Sequence, residues 1–107
     1  MTCAEIFAQM EERFRELEFS DIHAVFQFNI HGDGGGHWHA VCEGNFCRVQ
    51  TGVFPRPDLT VTTSAGNAVK LAEGRLSPTL ALLTRRVRLK GDMVLALQIK
   101  TMLKPRA

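Results

Sequence analysis

The sequence of 107 residues predicts one α/β domain containing five strands and four helices. Two observations indicate this class. Several runs rich in β-branched residues alternate apolar and polar side chains with the period of two that strands have. Other segments have apolar residues three to four positions apart, begin at Ser, Thr or Asp, and in places end at Gly, as helices do. This length fits a single domain over residues 1–107 with one modest core.

The first predicted element is a helix at the start of the chain. Thr2 and Glu5 have the spacing of a capping box, and apolar residues at helical spacing continue to about Leu17. Residues 23–31 then alternate as a half-buried strand does. Its apolar face carries Ala24, Phe26, Phe28 and Ile30.

A hairpin is expected at the glycine-rich loop 32–36, since glycine admits the positive φ values that tight reversals need. The expected pairing places the apolar side chains of both strands on one face. It puts His31 opposite His37, Ile30 opposite Trp38, Phe28 opposite Ala40 and Phe26 opposite Cys42. A second turn at Gly44-Asn45 then predicts a third strand, with Cys47, Val49 and Thr51 opposite Cys42, Ala40 and Trp38.

A fourth strand and a capped helix are expected after the crossover segment 52–57, whose two prolines cannot donate to a strand ladder. Residues 58–63 alternate and are rich in β-branched side chains. Ser64 is the expected N-cap of the helix, and Gly74 supplies the residue that tolerates positive φ at its end.

A second short helix, a fifth strand and a final helix complete the predicted order. Ser77-Pro78 places serine at the cap and proline at the first helical position. Apolar residues then recur at helical spacing, at Leu76, Leu80 and Leu83. Residues 87–90 alternate, and Asp92 is the expected N-cap of a helix over residues 93–103. That helix is apolar nearly all round, so it requires cover from the sheet and other helices, an apolar ligand or a partner.

Composition excludes several classes of protein. Charged residues make up 22% of the chain and the net charge is +2, which is too weak and scattered for a nucleic-acid groove. No apolar run approaches the length of about 20 residues that spans a bilayer, and the start does not resemble a signal peptide, so we expect a cytoplasmic protein. Cys3, Cys42 and Cys47 are an odd number without metal-ligand spacing, which predicts reduced thiols. Under oxidising conditions Cys42 and Cys47 would be placed to form a cross-strand disulfide.

The order of these elements resembles the sterol-carrier-protein type 2 family of small lipid-binding domains. The resemblance is carried by Trp38-x-Ala-x-Cys-x-Gly44, Asp58-Leu-Thr-Val-Thr, Leu71-x-x-Gly74-x-Leu-x-Pro78-x-x-Ala81 and Val87-x-Leu-x-Gly91-Asp92. It implies a five-stranded, mostly antiparallel sheet with helices packed on one face. It also implies an apolar tunnel between sheet and helices that takes a fatty acyl chain, a sterol or a phospholipid, and it implies no catalysis and no cofactor.

The same resemblance implies which residues line the tunnel. From the sheet these are Phe26, Phe28, Ile30, Trp38 and Leu89, and from the helices Leu80, Leu83, Met93, Leu97 and Met102. One departure from the family pattern concerns Thr84-Arg85-Arg86, where the family usually has a glycine ending the second short helix. A left-handed Arg85 would cost about 1 kcal/mol, or the helix must end another way. The chain also lacks a terminal Ser-Lys-Leu peroxisomal address, which favours a free-standing bacterial-type domain.

Three functions are therefore weighed. The leading hypothesis is non-enzymatic binding and carriage of a hydrophobic lipid, and the alternative is an accessory module of a membrane-lipid or quinone biosynthetic complex, which would hold a polyprenyl intermediate or a protein partner. The basic residues at 85, 86, 88 and 90 predict a solvated face that would contact anionic lipid headgroups. The third hypothesis is a metal site formed by His31, His37 and His39, which the expected hairpin register places together.

Overall fold

The computed structural model describes residues 2–16, 22–44 and 46–96. The elements in chain order are α1 (Cys3–Glu16), β1 (Ile22–His31), β2 (Gly36–Gly44), β3 (Phe46–Thr51), β4 (Leu59–Ser64), α2 (Ala65–Ala72), α3 (Pro78–Leu83) and β5 (Val87–Gly91). A further helical segment begins at Met93 and is described through Ala96. The expected order is confirmed over these residues. The rest of the predicted final helix, and the end of the first helix at Leu17, lie outside them.

All five strands form one sheet in the order β3-β2-β1-β4-β5. β1 pairs antiparallel with β2 and parallel with β4, and the remaining pairs are antiparallel. The mostly antiparallel five-stranded sheet is therefore confirmed, with one parallel pair at its centre. Because β1 has neighbours on both sides, it is the strand through which the meander and the second half of the chain are joined.

The register between β1 and β2 differs by two residues from the expected one. The structure pairs Phe28 with Trp38, Phe26 with Ala40 and Ala24 with Cys42. The expected pairs His31–His37, Ile30–Trp38, Phe28–Ala40 and Phe26–Cys42 are therefore wrong.

The reason for this shift lies in the loop. Ile30 pairs with Gly36, and the loop closes with the Gly35 N–H donating to the Gly32 carbonyl at 3.0 Å. A Cβ on Gly35 would lie 2.2 Å from the Ile30 carbonyl oxygen, so this close approach requires glycine. A shift of two residues keeps each side chain on its expected face, because strand side chains alternate with a period of two.

The register between β2 and β3 is confirmed, with Cys42 opposite Cys47 and Ala40 opposite Val49. Cys42 and Cys47 form a disulfide across this pair, with their Cα atoms 4.0 Å apart. The expectation of reduced thiols is thus wrong at these positions, because directly opposed residues on one face bring their side chains together. Cys3 is the free cysteine, and burial raises the pKa of its thiol.

Thiol titration tests this pairing. For protein unfolded in denaturant without reductant, we expect one reactive thiol per chain, from Cys3, and three after reduction. In the folded protein the Cys3 thiol should react slowly, because it is buried and its raised pKa keeps the thiolate population low. The Cys3→Ser variant is the control, since it should show no thiol until it is reduced. Three thiols in unreduced wild-type protein would contradict the disulfide.

The core lies on the sheet face that carries the even-numbered residues of β1. The ring of Phe7, from α1, stacks on Trp38 with centroids 4.5 Å apart and meets Phe28 at 5.1 Å. Ala65 and Ala68 of α2 are buried in the same cluster, and such small side chains let a helix lie close to a sheet. The two helices thus cover the sheet from β3 to β4.

The crossover segment 52–57 lies over the opposite face of the sheet, where Gln27 anchors it. The Gln27 amide donates to the Gly52 carbonyl at 3.3 Å and accepts from the Phe54 N–H at 2.8 Å. Gln27 is only 2% exposed, and a buried polar group left without partners would cost about 1–3 kcal/mol. Gln27 lies on the face opposite the predicted apolar face of β1, and sequence reasoning missed its role in fixing the crossover.

Asp58 fixes the start of β4 at the end of this crossover. Its N–H donates to the Val25 carbonyl at 2.8 Å, and its carboxylate accepts from the Val25 N–H at 2.7 Å. Its carbonyl accepts from the Asp92 N–H at 2.9 Å. A Cβ on Gly91 would lie 2.3 Å from that same carbonyl oxygen, so only glycine fits there. One residue therefore ties β1, β4 and the start of the final helical segment together.

Candidate functional site

The residues expected to line an apolar cavity separate into two groups in the structure. The first group belongs to the centre of the sheet. Phe26, Phe28 and Ile30 are buried in the core, and Trp38 is partly buried beneath Phe7. Phe7 of α1 therefore occupies the space above Phe28 and Trp38. Their contact with a ligand stays a prediction.

The second group surrounds β5. Leu89 pairs with Val61 of β4, so it points toward the core face, where it is partly buried. Leu80 and Leu83 of α3 are 56% and 75% exposed, and Met93 is 53% exposed. Leu97 and Met102 lie outside the described residues. In contrast to the first group, these helix residues have much of their apolar surface in solvent.

Large exposed apolar side chains are concentrated around this strand. Val94, which sequence reasoning did not assign to the site, is 69% exposed beside Met93. Leu83 lies near the first residue of β5 and Met93 near the last, ends that are separated by about 13 Å at the usual rise of a strand. Leu89 lies between them. We call Leu80, Leu83, Leu89, Met93 and Val94 the β5 apolar surface.

α3 packs on the core through Ala81 and the partly buried Leu82, and this explains the exposure of Leu80 and Leu83. Ala81 is fully buried, whereas Leu80 and Leu83 lie about 100° and 160° away from it around the helix axis. The expected stripe of three leucines is therefore divided. Leu76, which precedes the helix, is in the core, and Leu80 and Leu83 face outward.

α3 ends in a Schellman motif with Arg85 in the left-handed conformation. The Arg86 N–H donates to the Ala81 carbonyl at 2.9 Å, and the Arg85 N–H donates to the Leu82 carbonyl at 3.2 Å. The φ angle of Arg85 is 59°, and α2 ends in the same way at Gly74, with φ 76°. Of the two endings that the sequence allowed, the structure has the left-handed one, at a position where glycine is the usual residue.

Replacing Arg85 with glycine should raise the free energy of unfolding by about 0.5–1 kcal/mol. The left-handed conformation costs a residue with a Cβ about 1–2 kcal/mol, and the larger unfolded-state entropy of glycine offsets part of that gain. Thermal unfolding followed by circular dichroism measures the change. Arg86→Gly removes the same charge where φ is not left-handed, so it should not stabilise. An Arg85→Gly protein no more stable than wild type would contradict this account.

The histidines of the hairpin do not form the expected cluster. His37 lies opposite Asn29, with its Nδ1 2.8 Å from Asn29 Oδ1, and His39 Nδ1 lies 3.1 Å from the Gly52 carbonyl oxygen. His31 pairs on its other side with Ser64 of β4. Within residues 2–16, 22–44 and 46–96, no three His, Cys, Asp or Glu residues are grouped to hold a metal ion. The geometry on which the metal hypothesis depended is therefore absent from this part of the chain.

A shallow depression lies away from the β5 apolar surface, between the start of α1, the hairpin loop and α2. Its volume is about 400 Å³, and Thr2, Asp33 and Lys70 are among its lining residues. None of the residues expected to bind lipid lines it. Within the described ranges, no helix is long and apolar enough to cross a bilayer.

One class of small α/β domains pairs a five-stranded sheet with helices on one face and presents apolar side chains beside an edge strand. Lipid carriers belong to this class. The family model of the SCP-2 sterol transfer family matches residues 5–104. The chain belongs to this family.

One curated relative matches most of this chain. Hydroxysteroid dehydrogenase-like protein 2 of Mus musculus is 29% identical over 105 residues, which cover 91% of this chain and 21% of that protein. The chain therefore spans about a fifth of the length of this curated relative.

Solved structures share the fold over nearly the whole chain. The solution structure of palmitated SCP2L2 from Aedes aegypti has a TM-score of 0.83 at 25% identity, and the match covers 96% of this chain and 95% of that one. The ubiquinone synthesis protein UbiJ-SCP2 has a TM-score of 0.68 at 14% identity, covering 94% of each chain. At that identity the second likeness concerns the fold alone.

Proposed function

We propose that residues 1–107 form a single domain that binds and carries a hydrophobic lipid without catalysing a reaction on it. The ligand is a fatty acyl, sterol-like or polyprenyl chain. The observation that carries this proposal is the β5 apolar surface, where Leu80, Leu83, Met93 and Val94 are exposed beside the partly buried Leu89. The likeness to the palmitated Aedes aegypti protein supports a fatty acyl chain as one ligand.

The proposed site lies at β5 rather than at the centre of the sheet. Leu89 forms its floor, Leu80 and Leu83 one wall, and Met93 the other, with Leu97 and Met102 proposed to extend it. Phe28 and Trp38 already contact Phe7, so a ligand would have to displace α1 to reach them. Exposed leucines need no such displacement.

The driving force is burial of apolar surface. Each buried methylene contributes about 0.8 kcal/mol, so a long acyl chain laid along exposed leucine and methionine side chains gains affinity with its length. In an apolar site, two ligands that differ by one methylene differ in binding free energy by only about 1–3 kcal/mol. Selectivity among lipid chains of similar length should therefore be weak. Polar groups are not required for this mode of binding.

The Leu83→Ser variant tests the site. It should weaken binding of a fluorescent fatty acid about tenfold, since covering a leucine side chain contributes about 1.5–3 kcal/mol. The measurement is displacement of the fluorescent ligand by unlabelled fatty acid. Val53→Ser is the matched control, because Val53 is 66% exposed but lies on the crossover segment, and its loss should leave binding unchanged.

Two results would count against the proposal. Wild-type protein that shows no saturable, displaceable binding would remove the carrier function itself. If wild-type protein binds the fatty acid and the Leu83→Ser and Val53→Ser proteins bind it with equal affinity, the binding site does not lie at β5.

A second candidate function is an accessory module of a membrane-lipid or quinone biosynthetic complex. Exposed apolar side chains of this kind also mark protein interfaces, and the fold is shared with a ubiquinone synthesis protein. Native mass spectrometry of protein recovered from cells separates the two functions. A lone chain with co-purified lipid favours the carrier, whereas a stable heteromeric complex without lipid favours the module.

A further inference from the structure

We propose that the C-terminal end of α3 is a docking surface for an anionic lipid bilayer. We call Leu80, Leu83, Arg85 and Arg86 the α3 tip. The proposal rests on the proposed function, since a lipid carrier must take its ligand from a membrane, and it names the partner and the side of the molecule that meets it. Because Leu80 and Leu83 also form one wall of the proposed site, docking there would bring the bilayer to the site itself.

The apolar part of the α3 tip is suited to insertion at a membrane surface. Leu80 and Leu83 lie three residues apart on α3, so they share one face of the helix. They are 56% and 75% exposed, and that face is turned away from the buried Ala81. Two leucines protruding from one helical face form a compact apolar projection.

The charged part of the α3 tip is complementary to acidic headgroups. Residues 76–91 contain four basic residues and no Asp or Glu. Arg85 and Arg86 are exposed, and within the described ranges their side chains have no hydrogen-bond or ion-pair partner. By contrast, the Arg75 guanidinium, at the end of α2, is bonded to the Glu73 carboxylate. The cations of the α3 tip are therefore free to pair with lipid phosphates and carboxylates.

The backbone of the α3 tip is held rigidly while its side chains remain exposed. The Thr63 hydroxyl donates to the Arg86 carbonyl at 2.7 Å, which joins the turn to β4. Together with the two bonds of the Schellman motif, this contact fixes the left-handed Arg85. A backbone ordered before binding reduces the entropy lost on association, so docking orders only side chains.

The helix end also presents few unpaired backbone groups to a membrane. The last carbonyls of a helix are normally left without intrahelical partners, and their transfer to an apolar environment is costly. Here the Leu80 carbonyl accepts from both the Thr84 N–H, at 2.9 Å, and the Thr84 hydroxyl, at 2.7 Å. The Ala81 and Leu82 carbonyls accept from the arginine N–H groups of the Schellman motif. Polar desolvation at the α3 tip is therefore small.

Vesicle flotation with the full chain tests the proposal, using phosphatidylcholine vesicles with and without phosphatidylserine. Wild-type protein should bind the anionic vesicles more tightly. The R85Q/R86Q protein should bind them about 30-fold more weakly, at about fivefold for each cation near the surface. Leu83→Ser should weaken binding about tenfold through lost insertion.

The matched control is R88Q/K90Q, which removes the same charge from exposed positions of β5. These residues alternate with the inward Val87 and Leu89, so their side chains project from the outer face of the sheet. Because Arg88 and Lys90 lie on the face of the sheet opposite the exposed leucines, this variant should lose clearly less affinity than R85Q/R86Q. Equal losses in both double variants would overturn the α3 tip as the docking surface, as would equal binding to neutral and anionic vesicles.

Fatty-acid displacement on the same proteins separates docking from lipid binding. R85Q/R86Q should bind the fluorescent fatty acid as wild type does, which with lost vesicle binding supports the proposal. If R85Q/R86Q binds both the fatty acid and anionic vesicles as tightly as wild type does, the docking proposal is overturned and the carrier function is left intact. Vesicle binding that depends on the α3 tip without fatty-acid binding supports docking and removes the carrier function. Binding of the α3 tip to a protein in place of vesicles overturns the membrane proposal.

Discussion

The parallel pairing of β1 with β4 is the constraint on which the rest of the structure depends. A parallel pair cannot be closed by a tight turn, so the chain must cross the sheet between β3 and β4. Segment 52–57 makes that crossing on the outer face, where the Gln27 side chain satisfies one carbonyl and one N–H of the segment. Asp58 then joins β4 to β1 through both its backbone and its carboxylate.

The crossover lies over the outer face of the sheet, so the helices pack on the other face. They cover the strands of that face unequally. α1 and α2 cover the sheet from β3 to β4, with Phe7 against Phe28 and Trp38. β5, at the edge, is next to the six-residue α3, which packs through Ala81 and the partly buried Leu82 and turns two leucines into solvent. Among the described residues, most of the large exposed apolar side chains therefore lie beside the edge strand β5, and the proposed lipid site and docking surface both derive from this asymmetry.

Local signals predicted most elements. The Ser64 hydroxyl accepts from the Asn67 N–H as an N-cap should, and the Asp92 carboxylate accepts from the Val94 N–H. The alternation of residues 58–63 likewise predicted which side chains of β4 face the core. The β1–β2 pairing was wrong by two residues because the length of a glycine-rich loop is not specified by side-chain alternation, which a shift of two leaves unchanged. Cys42 and Cys47 were correctly predicted to lie opposite each other, but they were expected to be reduced thiols and instead form a disulfide.

The sequence by itself determined the order of the elements, their caps and the face of each strand, because these depend on neighbouring residues and on a regular period. Only the tertiary structure decided which apolar side chains are covered by other residues and which remain exposed. Phe28 and Leu83 look equally apolar in the sequence, yet one is covered by an aromatic ring from a helix distant in the chain and the other is 75% exposed. That difference depends on how helices far apart in sequence share one sheet face, and spacing along the chain carries no information about it.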